Sequence, residues 1–460
     1  MRLPDLFGRR VAVWGYGREG RAALRILRRV LPGQDFSLIC TAAERDVALA
    51  DAGGAPLDIV TASPDAAVLG AFDVIVKSPG ISAYTPALLA AQQSGARVTS
   101  GTALWFGEHP QARVIGVTAT KGKSTTSALI AHGLRALGRV TALAGNIGLP
   151  LLDLLDPPRA PVWWVVELSS FQTREAGPLA VGVVGNLYEE HLDWHGTRER
   201  YWDDKLALAD RAATLLVNAQ QTELLERTAA HPRRLLFGAA PGWHLRDGAI
   251  CRGGQRVLAL AQLPLPGLHN ALNACAALAA IEAAGEDAEA AAAAAASFAW
   301  FRPLPHRLQT LGEQAGRTWI NDSIATTPAA TLEALHSLGG REVSVLVGGF
   351  ERGVDWAPFA AAVRAQPPRA LVCLGANGPR IAAALTAAGP TPYALERATT
   401  LAEAVTIARG LTPPGGVVLL SPGAPSFDAF RDYAERGRAF AALAGFDPAA
   451  IAGIEGLGIA

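Results

Sequence analysis

Residues 10–14, RVAVW, form a short apolar run. The polar, glycine-bearing GYGREG follows, and then RAALRILRRVL, whose apolar positions recur at helical spacing. This order of strand, turn and helix recurs along the chain. FSLIC reads as a second strand, FDVIVKSPGIS as a strand running into a turn, and ARVTSGTALWF closes a first unit near residue 101. A second unit opens with the strand ARVIGVTA, the loop VTATKGKSTT and the helix SALIAHGLRALG. It continues with the strands PVWWVVELSS, VGVVGNLYEEH and ATLLVNAQ and two helices, LPGLHNALNACAALAAIEAAG and AEAAAAAAASF. After FRPLPHRLQTL the alternation resumes in TWINDSIATTPAATLEALHSL, EVSVLVGGF, RALVCLG and GGVVLLSPG. Strands alternating with helices predict parallel, doubly wound α/β sheets. Three such units in series are expected, over residues 1–101, 102–303 and 304–460, with Pro303 and Pro305 at the last boundary.

Composition narrows the class. The chain has 460 residues, half of them hydrophobic, and a mean hydropathy of +0.21. That is ample for sizeable cores and, at roughly 100–200 residues per domain, for two to four domains. No apolar run of about 18–20 residues is free of charge, Gly or Pro, so no membrane span is expected. MRLPDLFGRRVAVWGYG reads as a turn and a strand rather than a signal peptide, which predicts a cytoplasmic protein. Basic and acidic residues balance at 41 each, so nucleic acid is not expected as a partner. Cys40, Cys251, Cys275 and Cys373 are scattered without a CxxC pair, which suggests neither a zinc knot nor a disulfide framework. Only four of the 41 basic residues are lysines: Lys77, Lys121, Lys123 and Lys205. Where arginine is so favoured, a retained lysine marks a place for a compact point charge or a neutral amine, which arginine cannot supply.

Three of those lysines fall in candidate sites. VTATKGKSTT ends in the Gly-Lys-Ser of a phosphate loop, although Val117 stands where the common G-x-x-x-x-G-K-[ST] pattern has its first Gly. The loop lies between a strand and a helix, where backbone N–H groups and the helix dipole favour an anion. Lys123 is expected on the β/γ phosphates and Ser124 or Thr125 on Mg²⁺; Lys121 either reaches phosphate or is merely exposed. Glu167 ends the apolar strand WWVVE and is placed to hold Mg²⁺. HLDWH has two histidines four apart but Leu192 where a helix-borne zinc motif has Glu, so zinc is not expected. His191 is read as a ligand or substrate contact and His195 as a surface residue. Gly15, Gly17 and Gly20 match a dinucleotide fingerprint, but the acids after the next strand, Glu44 and Asp46, come late for NAD. The diphosphate of another nucleotide fits better.

TKGKST, GNIGLP, ELSSFQ, EEHLDWHG, PGLHNALNA, LPHRLQTL, NDSIATTPAA and SPGAPSFDAFRDYAERG follow one another in an order that resembles the Mur ligases over essentially the whole chain. The MurD type, which adds glutamate to UDP-N-acetylmuramoyl-L-alanine, is the most similar. The resemblance implies a Rossmann-like first domain for the UDP substrate, a central P-loop ATPase-type domain for ATP and Mg²⁺, and a Rossmann-like third domain for the amino acid. It implies substrate contacts at Gly15, Gly17, Arg18, Glu19, Ser78, Pro79, Gly80, Asn146 and His191. Nucleotide contacts are implied at Thr120, Lys121, Gly122, Lys123, Ser124, Thr125, Asn273, Arg307 and Asp322. Metal positions are implied at Ser124, Glu167, His191 and Lys205, with Lys205 matching a lysine carbamylated in this family. Lys123, Lys205 and His191 are the expected catalytic residues. The implied reaction runs through an acyl phosphate and serves peptidoglycan synthesis, and so cell-wall biogenesis, cell shape and cell division. A monomer is expected.

Two departures touch the chemistry. Ala119-Thr120-Lys121-Gly122-Lys123 replaces the usual G-T-N-G-K, and Asp322-Ser323-Ile324-Ala325-Thr326 replaces D-S-K-A-T. Isoleucine cannot pair with a carboxylate, so the expected glutamate contacts are Thr326, Arg352, Ser426 and Tyr433 in a rearranged pocket. The chain resembles a MurD branch that adds L-glutamate and leaves inversion to a separate epimerase. D-glutamate is the alternative. An NAD-dependent oxidoreductase leaves the GKS loop unexplained, and a non-catalytic nucleotide-binding protein has no need of Lys123, Glu167 and Lys205 together.

Overall fold

The computed structural model describes residues 1–61, 63–451 and 453–460. They form two compact units. One comprises Met1–Leu263, His269–Phe301 and Gly456–Ala460; the other comprises Pro264–Leu268 and Arg302–Glu455.

In the first unit, β1 (Val11–Trp14), β2 (Phe36–Ile39), β3 (Asp58–Val60), β4 (Val74–Lys77) and β5 (Arg97–Thr99) make a parallel sheet of order β3-β2-β1-β4-β5. Its central strands read VAVW and VIVK. They are almost wholly buried, as expected where crossover helices cover both faces of a parallel sheet. A second sheet contains β6 (Val114–Thr118), β7 (Thr141–Gly145), β8 (Trp163–Glu167), β9 (Leu179–Val184), β10 (Ala212–Asn218) and β11 (Arg234–Phe237), in the order β11-β10-β9-β6-β8-β7. Every residue of β6, β7 and β8 is buried. One hydrophobic cluster runs from Leu24 and Leu27 under the first sheet through Trp105 to Trp164 and Val166 under the second.

Two features of this unit depart from strict parallel alternation. β12 (Trp243–Arg246), β13 (Ala249–Arg252) and β14 (Gln255–Ala259) form a small antiparallel sheet. The tail strand Gly458–Ile459 pairs antiparallel with Ala142–Leu143 of β7, and Arg135 donates to the carbonyls of Gly456 at 2.6 Å and Gly458 at 3.0 Å.

The second unit holds β15 (Gln309–Gln314), β16 (Arg317–Asn321), β17 (Val343–Val347), β18 (Ala370–Cys373), β19 (Ala394–Arg397) and β20 (Val417–Leu420), in the order β15-β16-β20-β17-β18-β19. All pairs are parallel except the β15–β16 hairpin. The carboxyl ends of β1, β4, β6 and β8 deliver Gly15, Ser78, Ala119 and Leu168, as expected where an open α/β sheet binds its ligands.

Candidate functional site

The phosphate loop leaves β6 at Thr118 and enters the helix Lys123–Ala136 through Gly122, whose φ of 87° is left-handed. Glycine is needed there for conformation and for space: a Cβ would lie 2.4 Å from Asn273 Oδ1. The expected nucleotide residue Asn273 is thus packed on the loop. Lys123 Nζ donates to the carbonyls of Ala119 at 2.9 Å and Thr120 at 3.1 Å. Ser124 and Thr125 are buried in the first turn of the helix. The Thr120 hydroxyl is 2.8 Å from the Tyr201 hydroxyl and accepts from the Tyr188 amide, so it braces the loop from inside. Lys121 reaches outward and pairs with Glu190.

Lys205 comes to the same loop from the helix Arg198–Leu206. Its amine is completely enclosed and donates to the Ala119 carbonyl at 3.0 Å, so two lysines share one acceptor. Burial first, and then Lys123, hold the Lys205 amine well below the ordinary lysine range. Glu167, 1 % exposed at the end of β8, accepts from Asn146 Nδ2 at 2.7 Å through Oε1. Its Oε2 is buried without a hydrogen bond. An orphaned carboxylate oxygen within electrostatic reach of the Lys205 amine fits a divalent cation beside bound phosphates. Of the four residues expected at a metal, Glu167 and His191 each lie within electrostatic reach of Lys205, and Ser124 follows Lys123 in the loop helix. His191 lies seven residues beyond β9 rather than directly after it, at a φ of 56° that a non-glycine residue seldom adopts. Its ring meets Phe171 edge-on at 5.2 Å, and burial, opposed by Glu190, holds the imidazole below its ordinary value.

His195 corrects the surface reading. It is fully buried, and Nδ1 lies 2.6 Å from Asp204 Oδ2 while Nε2 lies 3.0 Å from Ser170 Oγ. An ionised carboxylate only accepts, which puts a proton on Nδ1.

On the substrate side, Gly15 has a φ of 91° and receives the Ser78 hydroxyl on its carbonyl at 3.2 Å. A Cβ on Gly20 would lie 1.8 Å from that carbonyl and one on Gly15 2.9 Å from Ser78 Oγ, so these two fingerprint glycines are needed for close approach. Gly17 caps the helix Arg18–Val30. Arg18 donates to the Gly148 carbonyl at 3.3 Å, and burial with Asp153 and Glu175 nearby pushes Glu19 up to about 7. Ser78, Pro79 and Gly80 form an accessible turn beside Gly15. The fourth lysine, missed as a site residue, secures that turn: Lys77 is buried and donates to the Ile81 carbonyl at 3.0 Å. Its signal was the same scarcity of lysine that marked the other three.

The second unit brings together Arg307, Asp322 and the residues expected around glutamate. Asp322 is buried, accepts from Ser421 Oγ at 2.8 Å and the Leu308 amide at 3.1 Å, and is pushed up to about 6 by burial. Arg307 acts on it electrostatically. Ile324 and Thr326 are half-buried on the loop that follows, and the Tyr433 carbonyl accepts from Ser323 Oγ at 2.7 Å. Buried Arg436, not anticipated from sequence, ties these parts together. It donates to the carbonyls of Ser323, Ala424 and Pro425, next to buried Ser426. Arg352 is exposed, two residues beyond Phe350, whose amide donates to the Pro425 carbonyl at 2.9 Å.

Comparison with known proteins identifies the family. Residues 117–281 match the Mur ligase middle domain, and residues 306–423 match the family described as Mur ligase, glutamate ligase domain. The chain is 50% identical over 476 residues, covering 100% of both chains, to UDP-N-acetylmuramoyl-L-alanine--L-glutamate ligase of Xylella fastidiosa. It is 41% identical over 455 residues to the protein of that name in Micromonospora, covering 96% of this chain and 97% of the relative. Among solved structures, UDP-N-acetylmuramate-alanine ligase MurC of Thermotoga maritima shares the fold at a TM-score of 0.60 and 19% identity, covering 94% of this chain and 98% of its own. MurF ligase of Thermotoga maritima, solved in complex with ADP, aligns at a TM-score of 0.55 and 15% identity, covering 94% and 93%. With one relative matched over its whole length at 50% identity and two family models matched over residues 117–281 and 306–423, the chain belongs to the Mur ligases.

Proposed function

We propose that the chain is an ATP-dependent ligase that joins glutamate, with L-glutamate preferred, to UDP-N-acetylmuramoyl-L-alanine in peptidoglycan precursor synthesis. The observation that carries this reading is the convergence of Lys123 and Lys205 on one loop carbonyl near the orphaned Glu167 oxygen. The full-length relatives named for this reaction support the substrate pair. On this reading residues 1–101 take the UDP part, 102–303 the nucleotide and 304–460 the amino acid.

The loop N–H groups and Lys123 hold the ATP phosphates. The terminal carboxylate of the alanine attacks the γ-phosphorus, the bond to the β-phosphate oxygen breaks, and ADP leaves behind an acyl phosphate. Lys123 stabilises the charge that develops on the transferring group. The glutamate amine then attacks the acyl carbon, loses a proton and expels phosphate. Water has to be kept from the acyl phosphate, which it would otherwise hydrolyse. Magnesium, when bound by Ser124, Glu167, His191 and Lys205, supplies neutralisation of phosphate charge. For Lys205 to serve as such a ligand its neutral amine must form a bond to the carbon of CO₂ and release a proton to solvent, giving an anionic carbamate, and burial favours the neutral amine. Thr326, Arg352, Ser426 and Tyr433 receive glutamate, with Ile324 removing a cation from the family's pattern.

The test is phosphate release with UDP-N-acetylmuramoyl-L-alanine, ATP and Mg²⁺, supplying L- or D-glutamate separately. Turnover with L-glutamate alone is expected and requires an epimerase acting downstream. Turnover with D-glutamate alone overturns the stereochemical part, and silence with both overturns the substrate assignment.

A further inference from the structure

Asp204 is 1 % exposed, and three separate elements bind its carboxylate. Oδ1 accepts from the Tyr84 hydroxyl at 2.5 Å and from Arg174, and Oδ2 accepts from His195 at 2.6 Å. Its backbone carbonyl accepts from the Thr173 hydroxyl at 2.5 Å. The next residue is Lys205. Successive side chains on a helix diverge by about 100°. One turn of the helix Arg198–Leu206 therefore faces Tyr84 through Asp204 and the phosphate loop through Lys205.

The Tyr84 bond is not isolated. The Ser82 hydroxyl donates to the Trp194 carbonyl at 2.7 Å, and the Trp194 indole N–H donates to the Pro79 carbonyl at 3.0 Å. The turn that carries Ser78, Pro79 and Gly80 is thus bonded to the segment between His191 and His195 and to the helix that carries Lys205.

Two simpler accounts of Asp204 fail. Ser170, His195 and Asp204 have the composition of a nucleophilic triad, but Ser170 is 5 % exposed and His195 0 %, so no acyl carbon reaches the hydroxyl. Stability alone is a poor reason for a buried carboxylate. Desolvation opposes the bonds it receives, and apolar residues of similar volume often serve as well or better. In some proteins such groups set register instead.

We propose that Asp204 is a positioning residue that keeps Lys205 in register with the turn Ser78–Tyr84, so that substrate seated on that turn fixes the Lys205 amine at the phosphate loop. This rests on the reading of Ser78, Pro79 and Gly80 as substrate contacts. Steady-state kinetics of the wild type, Tyr84→Phe, Asp204→Asn and the double variant test it. Displacement of a reacting constellation by about 1 Å costs roughly a hundredfold. Asp204→Asn is accordingly expected to lower kcat by about ten- to a hundredfold while KM for ATP stays within about twofold. Tyr84→Phe falls in the same sense by less. Because both act through one carboxylate, the double variant should match Asp204→Asn within about twofold. Wild-type kcat in both single variants, or losses that multiply in the double, would overturn the proposal. If Asp204→Asn does not fold, Tyr84→Phe, which deletes one oxygen, decides it on kcat.

A readout without turnover is the carbamate NMR signal from isotope-labelled bicarbonate. The signal is expected in the wild type, absent from Lys205→Arg, and in Asp204→Asn present only at several-fold higher bicarbonate. An unchanged bicarbonate dependence in Asp204→Asn counts against the proposal. A wild type that gives the signal but turns over neither glutamate enantiomer sinks the substrate assignment and leaves this arm intact.

Discussion

Asp322→Asn offers a test with a sign and a size. In the folded chain the Asp322 carboxyl titrates at about 6, against an ordinary value of 3.8. Burial raises it, and the bonds from Ser421 and Leu308 and the charge of Arg307 pull back less strongly. The native state therefore holds this proton more tightly than the unfolded chain. Well below pH about 4 both states are protonated and the site carries no penalty. As pH rises from about 4 through about 6 the unfolded chain ionises first, and stability is lost. At about 1.36 kcal/mol per pKa unit, the shift from 3.8 to about 6 corresponds to a loss of about 3 kcal/mol that is complete near pH 7. Asparagine has no such proton. Whatever its fixed offset, the stability of the variant relative to wild type should rise by about 3 kcal/mol between about pH 3 and about pH 7. Native-state hydrogen exchange of the amides in β16 and β20, which flank Asp322 and Ser421, reads this locally. A difference that stays flat within about 0.5 kcal/mol across that range would show that the bonds from Ser421 and Leu308 solvate the anion fully, and would refute the reasoning.

Lys205→Arg places a wider, permanently charged group in a site that encloses a lysine amine, and arginine cannot form a carbamate. Turnover should fall by more than about a hundredfold at every bicarbonate concentration; near-normal ADP release at low bicarbonate would sink the proposed role of that amine. Gly122→Ala forces a side chain into a φ of 87° with its Cβ 2.4 Å from Asn273 Oδ1. A left-handed conformation alone costs about 1–2 kcal/mol, so KM for ATP should rise by about tenfold, and an unchanged KM would mean that the loop accepts another backbone path.

The parts of this molecule that could be read from sequence are those whose signals are local. VAVW, VIGVT and WWVVE are apolar runs that lead into Gly15, the phosphate loop and Glu167, so strand and site were visible together. The hairpins of β12–β14 carry their turn signals in Asp247-Gly248 and Gly253-Gly254, yet strands of four or five residues are too short for alternation to stand out. His195 was misread because its partners, Ser170 and Asp204, come from separate segments and nothing in HLDWH indicates burial. Arg436 binds mostly backbone carbonyls, and no residue pattern advertises a cation satisfied that way. Lys77 was within reach, since the argument from scarce lysines applied to it as well.

The short tail strand bears on how the protein is handled. Gly458–Ile459 covers β7, whose five residues are all buried and whose other side is already occupied by β8. Trimming residues 456–460 would leave an apolar strand with open N–H and C=O groups, a template on which a second chain can pair. It would also take two carbonyl acceptors from Arg135. Shortened preparations should therefore aggregate through the sheet edge even with every catalytic side chain in place, and an affinity tag fused after Ala460 needs a linker long enough to leave that pairing undisturbed.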